Sequence, residues 1–337
     1  MKIAHARERH APAGAPYRLH AALDPDATRW LDLEVARRRV ARRDERLSHN
    51  SILFRQPVTT LDDHLSRGLR VEALAELLER HGPADDEDDD AVSRATELAF
   101  GPPILRPSSL RDFYAFERHV GTMWKRRDMP IPEAWYRLAI FYFSNVSEIR
   151  APGQPVWAPR ESTELDYELE IAALIDTPVK NLSAERGEEA IGGYMIMNDW
   201  SARDLQRDET AVRLGPAKGK DFATTLGPWL VTPDEVAERR SAKGYDLTAT
   251  AEINGQEISR GNWSSIAFSF GEMVERASAD VQLVATDVLG SGTVGTGCLL
   301  EMKEESGFGR WLEPGDSVTL RIESLGELTS PVIARPG

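Results

Sequence analysis

Apolar residues fall at helical spacing near the start of this chain and at alternating or unbroken spacing through most of the rest. Trp30, Leu31, Leu33, Val35 and Val40 stand among arginines and glutamates, which predicts a helix over 28–48. Leu74, Leu77 and Leu78 form the stripe of a second helical segment over 60–81, with Thr60 as its cap and Gly82 as its stop. Residues 1–27 show no clear period. After Pro102, Pro103 and Pro107 the pattern changes. Ser109-Leu110-Arg111-Asp112 has the form of a helix start, and that helix would run to about Arg127. Strands are expected over 167–175, 191–198, 247–253, 318–322 and 328–334, interrupted by one amphipathic helix over 266–277. Asn254-Gly255 signals a hairpin, and Glu313-Pro314-Gly315-Asp316 signals a turn.

Beyond the prolines, strands dominate and the helices are not interleaved with them. A doubly wound parallel sheet is therefore excluded in favour of a mixed β architecture with peripheral helices. The chain divides into a mainly helical region, 1–100, and a larger region, 101–337. The acidic run at 84–91 lacks the spaced ligands and central glycine of a calcium loop, so it reads as a solvated, self-repelling connector.

Composition narrows the function. A net charge of −14 argues against nucleic acid and anionic membrane as partners. It does not exclude a small anionic substrate, since a bound cation and a few basic groups override the global field locally. One cysteine, Cys298, rules out a disulfide framework within the chain and points to a reducing compartment. No window reaches eighteen apolar residues, and Met1 to Arg7 lack a signal-peptide core, so a cytoplasmic location is expected.

The acidic residues carry the best clue to chemistry. Glu168 and Glu170 are two apart, so on a strand both carboxylates share a face, opposite Tyr167, Leu169 and Ile171. That face is either wet or part of a site. Asp199 follows an apolar run and could stand at an adjacent strand end. Three converging carboxylates repel one another unless a divalent, oxygen-seeking ion such as Mg²⁺ or Ca²⁺ joins them. Asp112 reads equally as a helix cap or as a further ligand. His119 lies seven residues on, two turns along the expected helix, and is the sole histidine after residue 81 available for general base work. The glycine-rich run 290–297 lacks the Gly-Lys-Ser/Thr ending of a phosphate loop and reads as a tight turn that brings backbone close to a ligand. Lys220 sits among turn residues, either solvated or in a site. Cys298 has no activating base nearby in sequence and reads as a small core residue.

At this point the motifs resemble a known family. Leu165-Asp166-Tyr167-Glu168-Leu169-Glu170 is similar to the metal-binding strand of the fumarylacetoacetate hydrolase family. Met197-Asn198-Asp199-Trp200-Ser201-Ala202-Arg203-Asp204-Leu205-Gln206 resembles its most distinctive signature, and Gly219-Lys220-Asp221-Phe222 through Trp229 resembles the block that follows. Leu289 to Thr293 and Leu312 to Asp316 match its late blocks in the same order. The resemblance covers about residue 100 to the end. It implies a β-sandwich roll, a homodimer, and Mg²⁺ or Ca²⁺ in the site, with Mn²⁺ as a further option. By position it implies Asp112, Glu168, Glu170 and Asp199 as metal ligands, with Lys220 and Thr224 near the metal. His119 would be the catalytic histidine with Glu301 as its partner, and Lys220 and Gln206 would assist the chemistry. Tyr114, Tyr142, Arg203, Gln206 and Thr293 would contact substrate, together with Lys125 or Arg126. Two features depart from the longer fumarylacetoacetases: the first hundred residues do not read as their small β-barrel, and the spacing from Thr293 to Glu301 is shorter.

The resemblance implies hydrolysis of a C–C bond in a β-diketo acid of the acylpyruvate or fumarylacetoacetate kind. A decarboxylase, hydratase or tautomerase of a related keto acid uses the same platform, and a non-catalytic keto-acid-binding protein is a third reading.

Overall fold

Two sheets carry the fold in the computed structural model, which describes residues 1–12, 14–82 and 90–337. The acidic connector expected at 84–91 falls largely outside them. The larger sheet runs, in spatial order, through Val92–Arg94, Arg29–Asp32, Arg18–Ala22, Lys2–Glu8, Thr224–Val231, Ile191–Asp199, Leu169–Ile175, Val288–Gly290, Leu110–Phe113 and Phe141–Ser144. Most neighbours are antiparallel, but Val288–Gly290 and Leu110–Phe113 run parallel, so the sheet is mixed. A four-stranded antiparallel sheet, Gln256–Asn262, Thr248–Ile253, Ser317–Ile322 and Gly326–Pro331, packs against the middle of the first. No helix among the described residues is long and apolar enough to cross a membrane.

The central strands read as unbroken apolar runs because both of their faces are covered. Along Leu169–Ile175 the side chains alternate. Leu169, Ile171, Ala173 and Ile175 join Tyr194, Ile196 and the four-stranded sheet in one core. Ala172 and Leu174 join Met195, Met197, Leu226 and Leu230 in another, beneath the helices of the N-terminal region. Glu170 shares the parity of this second set, as Asp199 does on its own strand and Thr224 on the next. The acidic residues therefore continue the layer that the N-terminal region covers.

That region is less helical than its pattern predicts. Lys2–Glu8, Arg18–Ala22 and Arg29–Asp32 are strands, and Ile3 pairs with Leu230 of a central strand. Ile3, Ala4, His5 and Ala6 are all buried, so no alternation betrays the strand. The first helix starts at Leu33 rather than residue 28, because Asp32 caps it by accepting the N–H groups of Glu34 and Val35. The segment 60–81 is two helices, Leu61–Ser66 and Ala73–His81, separated around Gly68 at φ 72°. Thr60 does cap the first by accepting the Asp63 N–H, and Gly82 ends the second.

The helix expected from Ser109 is a strand followed by a helix. Leu110–Phe113 is buried throughout and pairs with Val288–Gly290, and the helix is Glu117–Lys125. Ser109 bonds the Asp287 carboxylate at 2.6 Å instead of capping a helix. Asp112 and His119 thus sit on different elements, not on one helical face. The other elements form close to their expected bounds. The hairpin turn at Asn254-Gly255 has φ 52° and 82°, the left-handed pair that this dipeptide favours. Ser269 and Glu272 form a reciprocal capping box on Phe270–Ser278.

Candidate active site

Three strands of the large sheet carry, near one end each, carboxylates that meet in the interior. Asp112, Glu170 and Asp199 are buried, and each offers an oxygen within 4.8 Å of the others. Gly290, between them in the sheet, makes this possible. A Cβ there would come within 2.7 Å of Asp112 Oδ1 and 2.4 Å of the Met197 terminal methyl. The glycine run thus serves by close approach, as expected, and it also donates. The Gly292 N–H reaches Glu170 Oε2 at 3.1 Å, and the Thr293 hydroxyl reaches Oε1 at 3.4 Å.

Burial and mutual repulsion push the Asp112 and Glu170 carboxyls well above the ordinary carboxylate range. Burial also raises Asp199, although Lys220 opposes it. Asp112 Oδ1 and Asp199 Oδ1 are buried with no hydrogen-bond partner. Orphaned acceptors within a knot of like charges cost free energy unless a cation meets them. An oxygen-only donor set of this kind suits a hard divalent ion. The residues present therefore fit a divalent cation.

Glu168, the fourth carboxylate, is engaged differently. Lys220 Nζ bridges Glu168 and Asp199, and Arg203 Nη2 lies 2.8 Å from Glu168 Oε1. Burial alone would raise the Glu168 carboxyl, but Lys220 and Arg203 outweigh it and hold the group below its usual range. Lys220 is buried too, yet its two carboxylate neighbours keep it charged, with its pKa raised. Tyr142 donates its hydroxyl to Asp199 Oδ2 at 2.7 Å. Gln206 accepts from Arg203 Nη1 at 3.0 Å, and Thr224 pairs with Asp199 across the strands.

His119 stands beside this cluster. Its Nδ1 lies 2.8 Å from Glu301 Oε2, and both side chains are shielded from solvent. The Tyr114 ring packs edge-on against the imidazole at 5.5 Å. The histidine is close enough to Glu168 to help depress that carboxyl. Cys298 is a buried free cysteine, and its thiol is pushed up by burial among carboxylates.

Lys125 and Arg126 are exposed at the end of the His119 helix, where Arg126 reaches the Leu300 carbonyl. Arg127, one residue on, stacks over Trp124 at 5.4 Å and acts electrostatically on Tyr114. It was not among the sequence candidates, and only its neighbours' basic character hints at it. Asp166 and Gly290 were also missed as individual residues, although both lie inside motifs that the sequence displays.

A sequence model described as fumarylacetoacetate (FAA) hydrolase, C-terminal, matches residues 108–333. A fumarylacetoacetase of Arabidopsis thaliana is 30% identical over 267 residues, 62% of this chain and 63% of that protein. An oxaloacetate tautomerase of Xenopus laevis is 29% identical over 208 residues, 61% of this chain and 60% of that one. The chain thus spans less than two thirds of the length of these curated relatives. The solved structure of a fumarylacetoacetate hydrolase from Exiguobacterium antarcticum shares the fold, with a TM-score of 0.70 at 22% identity, covering 99% of this chain and 100% of that one.

Proposed function

The chain belongs to the fumarylacetoacetate hydrolase family, and from that premise we propose that it is a divalent-cation-dependent hydrolase that cleaves a C–C bond in a β-diketo acid of the acylpyruvate or fumarylacetoacetate kind. The observation that carries this reading is the His119–Glu301 pair at 2.8 Å beside the carboxylate cluster. A hydrolase needs a base to activate water next to its electrophile, and this pair supplies one.

Asp112, Glu170 and Asp199 would hold the cation, Mg²⁺ or Ca²⁺ by donor chemistry. When bound, the cation supplies Lewis-acid polarisation of the substrate's paired oxygens. Glu301 fixes the Nδ1 proton of His119 and stabilises the imidazolium, so Nε2 takes a proton from water. The hydroxide adds to the acyl carbonyl carbon. The bond from that carbon to the methylene then breaks, and its electron pair stays with the methylene as an enolate. Protonation of the enolate gives an acid and a keto acid, a 2-keto acid from an acylpyruvate and a 3-keto acid from fumarylacetoacetate, one water being consumed. Lys220 and Gln206 stand by the developing negative charge, and losing such a donor costs roughly 100- to 1000-fold in turnover. Tyr114, Tyr142, Arg203 and Thr293 would line the substrate.

A tautomerase reading competes, because a tautomerase stands among the relatives. The test is a panel of β-diketo acids and 2-keto acids with Mg²⁺ present, following the enol absorbance and analysing products. Two carboxylic fragments in equal amounts support hydrolysis. Carbon dioxide, a hydrated product or an isomer without cleavage would replace it with the competing chemistry. Tight keto-acid binding without turnover would indicate a binding protein.

A further inference from the structure

One fully buried charge beside the site has no part in the chemistry above. Asp166 lies in the short strand Leu165–Asp166 with no exposed surface. Four donors surround its carboxylate. Oδ1 accepts the N–H of Tyr167 at 2.8 Å and of Leu299 at 2.7 Å. Oδ2 accepts the Leu300 N–H at 3.0 Å and Arg203 Nε at 2.8 Å.

These donors lead to both halves of the site. Leu299 and Leu300 open the single helical turn Leu299–Met302, whose next residue is Glu301, the partner of His119. Arg203 continues to Glu168, which Lys220 ties to Asp199. Tyr167 is adjacent in the chain to Glu168. A turn of four residues has too few internal hydrogen bonds to hold its own orientation. Its direction is therefore set from outside, and Asp166 is what its first two N–H groups meet.

We infer that Asp166 is a positioning residue that fixes the Glu301 turn and the Arg203 guanidinium against each other, and so holds His119 in register with the carboxylate cluster. The kinetic part of this inference rests on the hydrolytic reading, while its structural part does not. An uncharged isostere cannot substitute. In Asp166→Asn one oxygen becomes an NH₂ group, and all four surrounding partners are themselves donors. Whichever way the amide turns, two bonds become donor-to-donor contacts, and the helical turn loses an acceptor for either Leu299 or Leu300, together with that for Arg203 when Oδ2 is the atom replaced.

The test uses the full chain and a readout independent of turnover. The Nδ1 proton of His119, buried against a carboxylate, gives a low-field proton NMR resonance, identified by its absence in His119→Ala. The expected result is that Glu301→Gln and Asp166→Asn each lose that resonance while near-ultraviolet circular dichroism stays native. In the kinetic cycle, the loss in the double variant Asp166→Asn/Glu301→Gln should be smaller than the product of the two single losses, because both act through the His119–Glu301 pair while Asp166→Asn also loosens Arg203. Retention of the wild-type resonance in Asp166→Asn overturns the inference, as do losses that multiply in the double variant. If the wild-type chain turns over none of the keto acids, the hydrolytic reading falls, and the resonance alone still decides the role of Asp166. Should Asp166→Asn not fold, Asp166→Glu keeps the charge beside Arg203 but carries the oxygens one methylene further, and the same resonance is read.

Discussion

Asp112 carries a buried oxygen that no donor among the described residues meets, and Gly290 leaves the space in which it lies. Gly290→Ala should therefore weaken Mg²⁺ binding, measured by titration calorimetry, and lower stability by about 1–3 kcal/mol through overpacking. A variant that binds Mg²⁺ as the wild type does would show that Asp112 is not a ligand. His119 makes the opposite prediction. His119→Ala should lower turnover by roughly 100- to 10,000-fold, the usual contribution of a general base, with Mg²⁺ affinity unchanged. Near-normal turnover would remove His119 from its role. Glu168 and Glu170 show how far single residues were legible. Tyr167, Leu169 and Ile171 do share one core, as the two-residue spacing expects, but Glu168 stands in an isolated bridge to Cys298 just before the strand Leu169–Ile175. That Glu168 serves two cations while Glu170 meets the other carboxylates depends on Arg203 and Lys220, which come from distant segments. No local pattern carries that information.

At the scale of elements, His5 sits on the strand Lys2–Glu8 and joins two pieces of the N-terminal region. Its Nδ1 lies 2.8 Å from the Pro102 carbonyl, and its Nε2 lies 2.9 Å from the N–H of Leu61 at the head of Leu61–Ser66. A ring that donates from one nitrogen and accepts at the other must be neutral. Burial accordingly lowers its pKa below the ordinary histidine value. A histidine depressed in the folded state contributes stability that is present above its unfolded pKa, ~6.5, and lost as pH falls through the folded value. Urea unfolding between pH 7 and pH 5 should thus show falling stability, with a shallower fall in His5→Leu. The variant should also start about 1–3 kcal/mol lower at pH 7, because it leaves the Leu61 N–H and the Pro102 carbonyl unmet. Equal slopes in the two proteins would exclude His5 as a source. This strand was invisible in the sequence for a physical reason. Four consecutive buried residues give neither the alternation of a half-exposed strand nor the period of a helix. Hairpins, by contrast, were readable because Asn254-Gly255 encodes its turn locally.

For the molecule as a whole, Asp112, Glu170 and Asp199 form a reservoir of repulsion that a bound cation would relieve. Their folded-state pKa values are raised, so in the cation-free protein they favour folding below the ordinary carboxylate range and oppose it as pH rises through their folded values. Mg²⁺ binds the ionised form, so the gain in melting temperature on adding Mg²⁺ should grow from pH 5 to pH 8. At a hundredfold excess over Kd the gain corresponds to about 2.7 kcal/mol. A Mg²⁺ effect that is flat or declines with pH would mean that these carboxylates do not bind it. The mixed β architecture was legible at this scale because strands and helices do not alternate. The junction between Lys2–Glu8 and Thr224–Val231 was not, because pairing partners more than 200 residues apart leave no trace in either segment.

The alternation along Leu169–Ile175 has a consequence for how such a chain can change over generations. Adding or deleting one residue at the start of that strand would rotate every following side chain to the opposite face. Glu170 would then be driven toward Tyr194 and the aromatic side, and its place would be taken by leucine or isoleucine. Folding and chemistry would fail in the same step. Descendants of this sequence can therefore vary here by exchange of side chains, but length changes are barred unless they come in twos.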